Sequence, residues 1–167
     1  MLQTYLRQQR EIILKKWFDL TVSVYEPEMI RFMHRVKNPF TNPVRHSIST
    51  GLAKIIDGIL NDMQIDICSE GLAEIIKIRA VQSFNPSKAL AFLFALKDIV
   101  REELTQSDIT IAGELQVFDK NVDKLLGIAF DMYNRCREKI YDIRIAETMS
   151  RSRHAFELLE KRKKNKK

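Results

Sequence analysis

The sequence predicts an all-α bundle of about six helices with a long C-terminal helix projecting from the body. Apolar residues fall at Leu115, Phe118, Val122, Leu125, Ala129, Met132, Cys136, Ile140 and Ile143, in steps of three and four, which is one buried seam on one helix. After Gly127 there is neither glycine nor proline, so nothing local stops that helix before the terminal lysines. At about 1.5 Å per residue, a run of about fifty residues reaches roughly 75 Å, further than the diameter of a domain this size, so part of it must project. Strand signals are missing, with no sustained period-two alternation and no hairpin turn between alternating runs.

The elements follow in order. Leu6, Ile13, Trp17, Leu20 and Val24 predict a first helix over about 3–24, with Glu11 placed four residues before Lys15 on its surface. Tyr25-Glu26-Pro27 breaks it. A short helix over Met29 to Val36 ends at Lys37-Asn38-Pro39, because the residue before a proline avoids the helical region. Asn42-Pro43 is an N-cap followed by a proline whose missing N–H costs nothing there, and Val44, Ile48, Leu52, Ile55, Ile56 and Ile59 carry that helix to about Asn61. A helix near 68–83 holds Leu72, Ile75, Ile76 and Ala80 inside. Asn85-Pro86 repeats the start signal and opens Ser87 to Leu104. Its first half, Ala89 to Leu96, is apolar on every side, which predicts a helix covered all round at the centre of the fold. Thr105 to Gly113 reads as a loop before the last helix.

With 167 residues, 45 % of them hydrophobic, the chain supports one core without staples. The expected division is a body over 1–147 and a basic helical extension over 148–167, frayed at its end. The net charge of +6 sits in the tail, where residues 151–167 carry eight basic and two acidic side chains; the other residues have twenty of each sign. The pI of 9.4 therefore describes an appendage and not a basic face on the body. Cys68 and Cys136 show no Cys-x-x-Cys spacing and read as reduced, buried thiols of a cytosolic protein, with a disulfide between them left open by the sequence. Residues 1–10 hold Arg7 and Arg10 and no apolar run, so no secretory signal is expected. No window nears the roughly eighteen apolar residues of a membrane span. The expected location is cytoplasmic, with peripheral contact at the inner membrane as a role for the tail.

Three stretches, Asn38-Pro-Phe-Thr-Asn-Pro-Val-Arg-His46, Arg79-Ala-Val-Gln-Ser-Phe-Asn-Pro-Ser-Lys-Ala-Leu-Ala-Phe-Leu-Phe-Ala-Leu-Lys97 and Ala129-Phe-Asp-Met-Tyr-Asn-Arg-Cys-Arg-Glu-Lys-Ile-Tyr141, together resemble the N-terminal sensory domain of the RsbR/RsbRD co-antagonist family of bacterial stress signalling. The resemblance covers about residues 5–147, and its middle motif is the most specific. It implies a globin-like bundle without haem, a homodimer formed partly through the last helix, and a STAS output domain following that helix. Some twenty residues follow Ile145, so the output is expected in a separate protein. Stand-alone members are also associated with membrane electron-transfer complexes, which makes a redox-complex protein a second candidate partner. Arg45 departs from the pattern, which leads one to expect a small residue between Val44 and His46.

Each candidate site has a plain structural alternative. His46 lies in the first turn of its helix, and no paired His, Cys or carboxylate stands at ligand spacing, so a hydrogen-bonded structural role is expected ahead of haem or metal ligation, and no metal or cofactor is assigned. Arg79 and Gln82, three apart before the Phe84-Asn85-Pro86 corner, could line a small ligand cavity under an apolar roof from Phe92 and Leu93; otherwise Arg79 bonds helix-end carbonyls and Gln82 fixes the corner. His46, Arg79, Gln82 and Phe92 form the candidate ligand-binding set. On the long helix Met132, Tyr133, Cys136, Arg137, Ile140 and Tyr141 form the candidate dimer or partner face, against a plain amphipathic boundary. Asp119 and Asp123 flank the seam and are expected in water rather than paired as acid and base. Ser87 has no histidine near it in sequence, and the glycines make no phosphate loop; no catalytic residue is assigned. In the tail Glu157–Lys161 and Glu160–Lys164 are well-oriented helix pairs that carry the helix to about 162. There Lys161, Arg162, Lys163 and Lys164, beside Phe156, Leu158 and Leu159, form a candidate contact with an anionic membrane surface. Nucleic-acid binding through the same charges is the less favoured use, and a solvated end is the plain one.

The expected function is a non-enzymatic regulatory sensor or adaptor that relays a signal to a partner protein through the long helix. The rival from another class is a structural or assembly subunit of a membrane-associated redox complex, held by its tail. A third reading is a haem or small-ligand gas sensor.

Overall fold

Seven helices and no strand occur among the described residues, 1–105 and 112–164 of the computed structural model: α1 (Leu2–Gln8), α2 (Arg10–Val22), α3 (Pro27–Arg35), α4 (Pro43–Leu60), α5 (Ile65–Val81), α6 (Pro86–Thr105) and α7 (Ala112–Lys164). The predicted first helix is two. Gln9 sits at φ −92°, ψ 6° and separates α1 from α2, so that Leu2 and Leu6 join the core while Arg7 bonds the Leu60 carbonyl and the Asn61 side chain at the far end of α4. Next to the break, Arg10 grips Asp57 through two bonds of 2.7 and 2.9 Å and also takes Glu11, which the sequence assigned to Lys15. Leu20, expected inside, is exposed.

The proline starts behave as their chemistry requires. Asn42 accepts from the Arg45 N–H at 3.1 Å and donates to the Val36 carbonyl at 3.1 Å, closing the end of α3 onto the start of α4. Asn85 accepts from the Lys88 N–H at 2.9 Å in the same way. Helix α5 begins earlier than expected because Asp62 and Met63 both take left-handed backbone, φ 54° and 57°, and turn the chain directly into Ile65.

Helices α4 and α5 make the tightest crossing. A Cβ on Gly51 would lie 2.7 Å from the Gly71 carbonyl, and one on Gly71 2.5 Å from the Gly51 carbonyl, so bare backbones touch where the helices meet. The centre therefore lies at α4 and α5, and α6 is not covered all round: Phe94, in the middle of its apolar run, is half exposed. Ala89, Leu90, Phe92, Leu93 and Leu96 face inward, and the Trp17 indole N–H donates to the Phe92 carbonyl at 2.6 Å.

Along α7, Phe118, Val122, Leu125, Ala129 and Tyr133 are buried, Met132, Cys136 and Ile140 are partly covered, and Ile143 is exposed. Every residue from Tyr141 to Leu158 is exposed, so the seam outruns the body that covers it. Asp119 and Asp123 do not simply face water. Each makes a 2.5 Å ion pair with α6, to Arg101 and Lys97 respectively. The predicted loop Thr105 to Gly113 is shorter at both ends, since Thr105 closes α6 and Ala112 and Gly113 open α7; 106–111 lie outside the described residues. Helix α7 reaches Lys164, and the expected frayed end, 165–167, lies outside them too. Among the described residues no helix is long and apolar enough to cross a membrane.

Candidate functional site

The corner between α5 and α6 collects the polar chemistry of the fold. Helix α5 ends with Ser83 in left-handed backbone, φ 59°, and the Phe84 N–H reaches back to the Arg79 carbonyl at 3.2 Å, which closes the helix in the Schellman manner without the usual glycine. That closure aims the Arg79 side chain inward. Only 1 % exposed, it donates to the Thr21 carbonyl at 2.7 Å and to the Lys88 and Ala89 carbonyls at 3.3 and 2.8 Å, and its guanidinium lies 5.1 Å over the Phe92 ring. The Nε atom is buried with no hydrogen-bond partner. Burial pulls the Arg79 pKa down, and the nearby Tyr25 hydroxyl pushes it back up. Tyr25 is raised in turn, chiefly by burial and against the pull of Arg79.

Around this cation the corner is tied in three further directions. The Tyr25 hydroxyl donates to Gln82 Oε1 at 2.8 Å, and its ring tilts against Phe84 at 5.5 Å. Tyr133 on α7 donates to the Phe84 carbonyl. Arg137, one turn on, donates to the Ala80 carbonyl at 2.9 Å, to Ser83 Oγ at 3.2 Å and to the Tyr141 hydroxyl at 2.9 Å, with its guanidinium 4.9 Å over the Tyr141 ring. The last polar contacts of the long helix with the body are thus a pair of clasps on one corner, with Ile140 packing against the core just beyond them, and that corner is held from behind by Arg79. Such an arrangement can transmit a displacement. It offers no nucleophile with a base, and among the described residues no cluster of three or more His, Cys, Asp or Glu side chains could hold a metal ion.

The structure brings Arg79 and Phe92 together and links Gln82 to them through Tyr25. His46 is not among their partners: it is exposed, and its N–H donates to the Asn42 carbonyl at 3.2 Å. Of the six residues on the predicted α7 face, Tyr133 is buried and Arg137 is engaged within the chain, whereas Met132, Cys136 and Ile140 keep partly open surface and Tyr141 is half exposed. Cys136 is therefore not the buried thiol expected; Cys68 is, with burial raising its pKa to about 11, and both are free. Lys161 is exposed and Arg162, Lys163 and Lys164 fall on helical backbone. Sequence reasoning missed Tyr25 and Ser83. Tyr25 sits in a helix-breaking segment, where a tyrosine gives no sign of what its hydroxyl will reach, and a serine in left-handed backbone carries no sequence mark at all.

Residues 12–148 match the family described as the RsbT co-antagonist protein rsbRD N-terminal domain. The chain is also similar to an uncharacterized protein of Archaeoglobus fulgidus, 29 % identical over 98 residues, which is 56 % of this chain and 62 % of that relative. The chain thus matches under two thirds of its relative's length. No solved structure matches. Because the family match takes in all the helices from α2 to α6 and the packed part of α7, the protein belongs to the rsbRD N-terminal domain family, a family of stress-signalling regulatory domains that act with partner proteins.

Proposed function

We propose that this protein is a non-enzymatic sensor or adaptor with a globin-like body, which works as a homodimer and relays a change in the packing of that body along α7 to a separate partner protein. The observation that carries the reading is the division of α7. Its first half is core, its middle is clasped to the α5–α6 corner by Tyr133 and Arg137, and Tyr141 to Leu158 beyond it are exposed. From Tyr141 to Lys164 the rod reaches roughly 35 Å beyond the clasps at about 1.5 Å per residue. A shift of the corner by an ångström or two is therefore carried to a distant surface by a continuous helix. The partly open stripe of Met132, Cys136 and Ile140, spaced four and four, continues into Tyr141 and suits a second copy of α7; that spacing is a stutter that locally unwinds a coiled coil.

Two experiments test this. Sedimentation of the purified chain at micromolar concentration is expected to give a two-chain species that Ile140→Glu converts to one chain; a single-chain wild type would remove the dimer. Affinity capture from native cells with mass spectrometry is expected to recover a signalling protein. An inter-subunit disulfide through Ile140→Cys, in a Cys136→Ser background, should then abolish regulation of that protein, and regulation that survives the lock would remove the relay. Deleting 151–167 separates the rival assembly-subunit reading, which expects loss of membrane association, from the relay, which expects dimer and partner binding to persist.

A further inference from the structure

A groove of 520 Å³ opens between α2, the end of α3 and the start of α4, on a face of the body that includes none of the corner residues. The apolar part of its lining is Leu14, Phe18 and Leu52, and three cations line it: Lys15, Lys37 and Arg45. Two acids also line it: Glu11 pairs with Arg10 at 2.6 Å, and Asp19 faces His34, another lining residue, at 3.7 Å, so the cations outnumber the acids three to two. None of the three cations has an ion-pair partner among the described residues, whereas Lys16, Lys54, Lys97 and Arg101 each meet a carboxylate.

Arg45 is the informative member. Its guanidinium lies 5.1 Å over the Phe18 ring, and its Nε is buried with no acceptor. A guanidinium donor shut away from water without an acceptor is costly, and an acceptor arriving from the groove would recover that cost. The planar guanidinium with two exposed cations beside it matches a carboxylate or phosphate, which it can meet with more than one N–H. The volume falls within the range of about 300–1,000 Å³ common to small-molecule sites, and the apolar wall gives the rest of such a ligand somewhere to lie.

We propose that this groove binds a small organic anion, its carboxylate or phosphate seated on Arg45 between Lys15 and Lys37 and its apolar part against Phe18 and Leu52. The site stands whether or not α7 relays its occupancy, so its failure and the failure of the relay are separate results.

Titration of the full chain at low salt with benzoate, phenyl phosphate, inorganic phosphate and neutral benzamide, followed by calorimetry and by ¹⁵N NMR of the Arg45 side chain, tests it. The expected result is millimolar or tighter binding of benzoate or phenyl phosphate with a shift of the Arg45 Nε–H, the tighter of the two naming the head group, and at least tenfold weaker binding of inorganic phosphate and benzamide. Arg45→Gln is expected to lose at least tenfold in affinity with an unchanged circular-dichroism melt. Lys37→Gln, on an exposed side chain outside every helix, should lose about threefold. Absence of binding by both aromatic anions, equal binding of benzamide, equal binding of inorganic phosphate, or affinity unchanged in both variants would each overturn the proposal.

Discussion

Arg79 carries a full charge into a site with almost no exposed surface, and its three carbonyl partners decide what that costs. Desolvating a guanidinium costs several kcal/mol, while hydrogen bonds to a charged donor return about 1.5–3 kcal/mol each. The Thr21 carbonyl lies at the C-terminal end of α2, where carbonyls lack helical partners and the helix dipole favours a cation, so Arg79 acts as a cap for a helix distant in sequence. Arg79→Met is accordingly expected to lower unfolding stability by about 2–4 kcal/mol, read as a lower urea midpoint with an unchanged slope. Cys68 gives a second expectation at this scale. With its thiol raised to about 11 by burial, only about one molecule in a thousand is thiolate at pH 8, whereas Cys136 has open surface. Native protein treated with iodoacetamide should gain one adduct by intact mass, located at Cys136, and a second only after unfolding. The role of Arg79 as a bonded structural group was one of the two sequence readings, but its partners Thr21 and Ala89 could not be named, because 58 and 10 residues separate them from it along the chain.

Between elements, glycine has opposite meanings at different places. At Gly51 and Gly71 an added methyl meets backbone, which cannot move aside as a side-chain tip can. Overpacking of this kind costs about 1–3 kcal/mol, against roughly 1 kcal/mol that alanine gains over glycine in a helix. Gly71→Ala should therefore destabilise by about 1–2 kcal/mol. Gly127 has nothing near its Cβ position, and Gly127→Ala should stabilise by about 0.5–1 kcal/mol. Thermal melts of the two variants are expected to move in opposite directions, and movement in the same direction would contradict the crossing geometry. Helical periodicity located the helices here but not the crossing, since Gly51 and Gly71 are twenty residues apart and show their contact only once α4 and α5 fold back on each other. The misreading of α6 has a related cause. An unbroken apolar run says how much greasy surface a helix has but not whether a neighbour covers it, and Phe94 is left without one.

For the molecule as a whole, the exposed half of α7 is structurally independent of the body. Since Tyr141 to Leu158 and Lys161 are all exposed, removing 144–167 should change the unfolding midpoint of the body little, by less than about 0.5 kcal/mol in stability, while reducing helical ellipticity by the removed segment. A large loss of stability would mean that the rod supports the body. The sequence by itself determined the all-helical class, the capped starts at Asn42 and Asn85, the inner seam of the last helix and the charge confined to its end, because periodicity, proline chemistry and composition are local and need no neighbour. Tertiary structure alone decided that Gly51 meets Gly71, that Arg79 reaches α2, that Tyr133 and Arg137 clasp the corner, and that Arg45 lines a groove with no ion-pair partner among the described residues, because those facts depend on which distant surfaces come to touch.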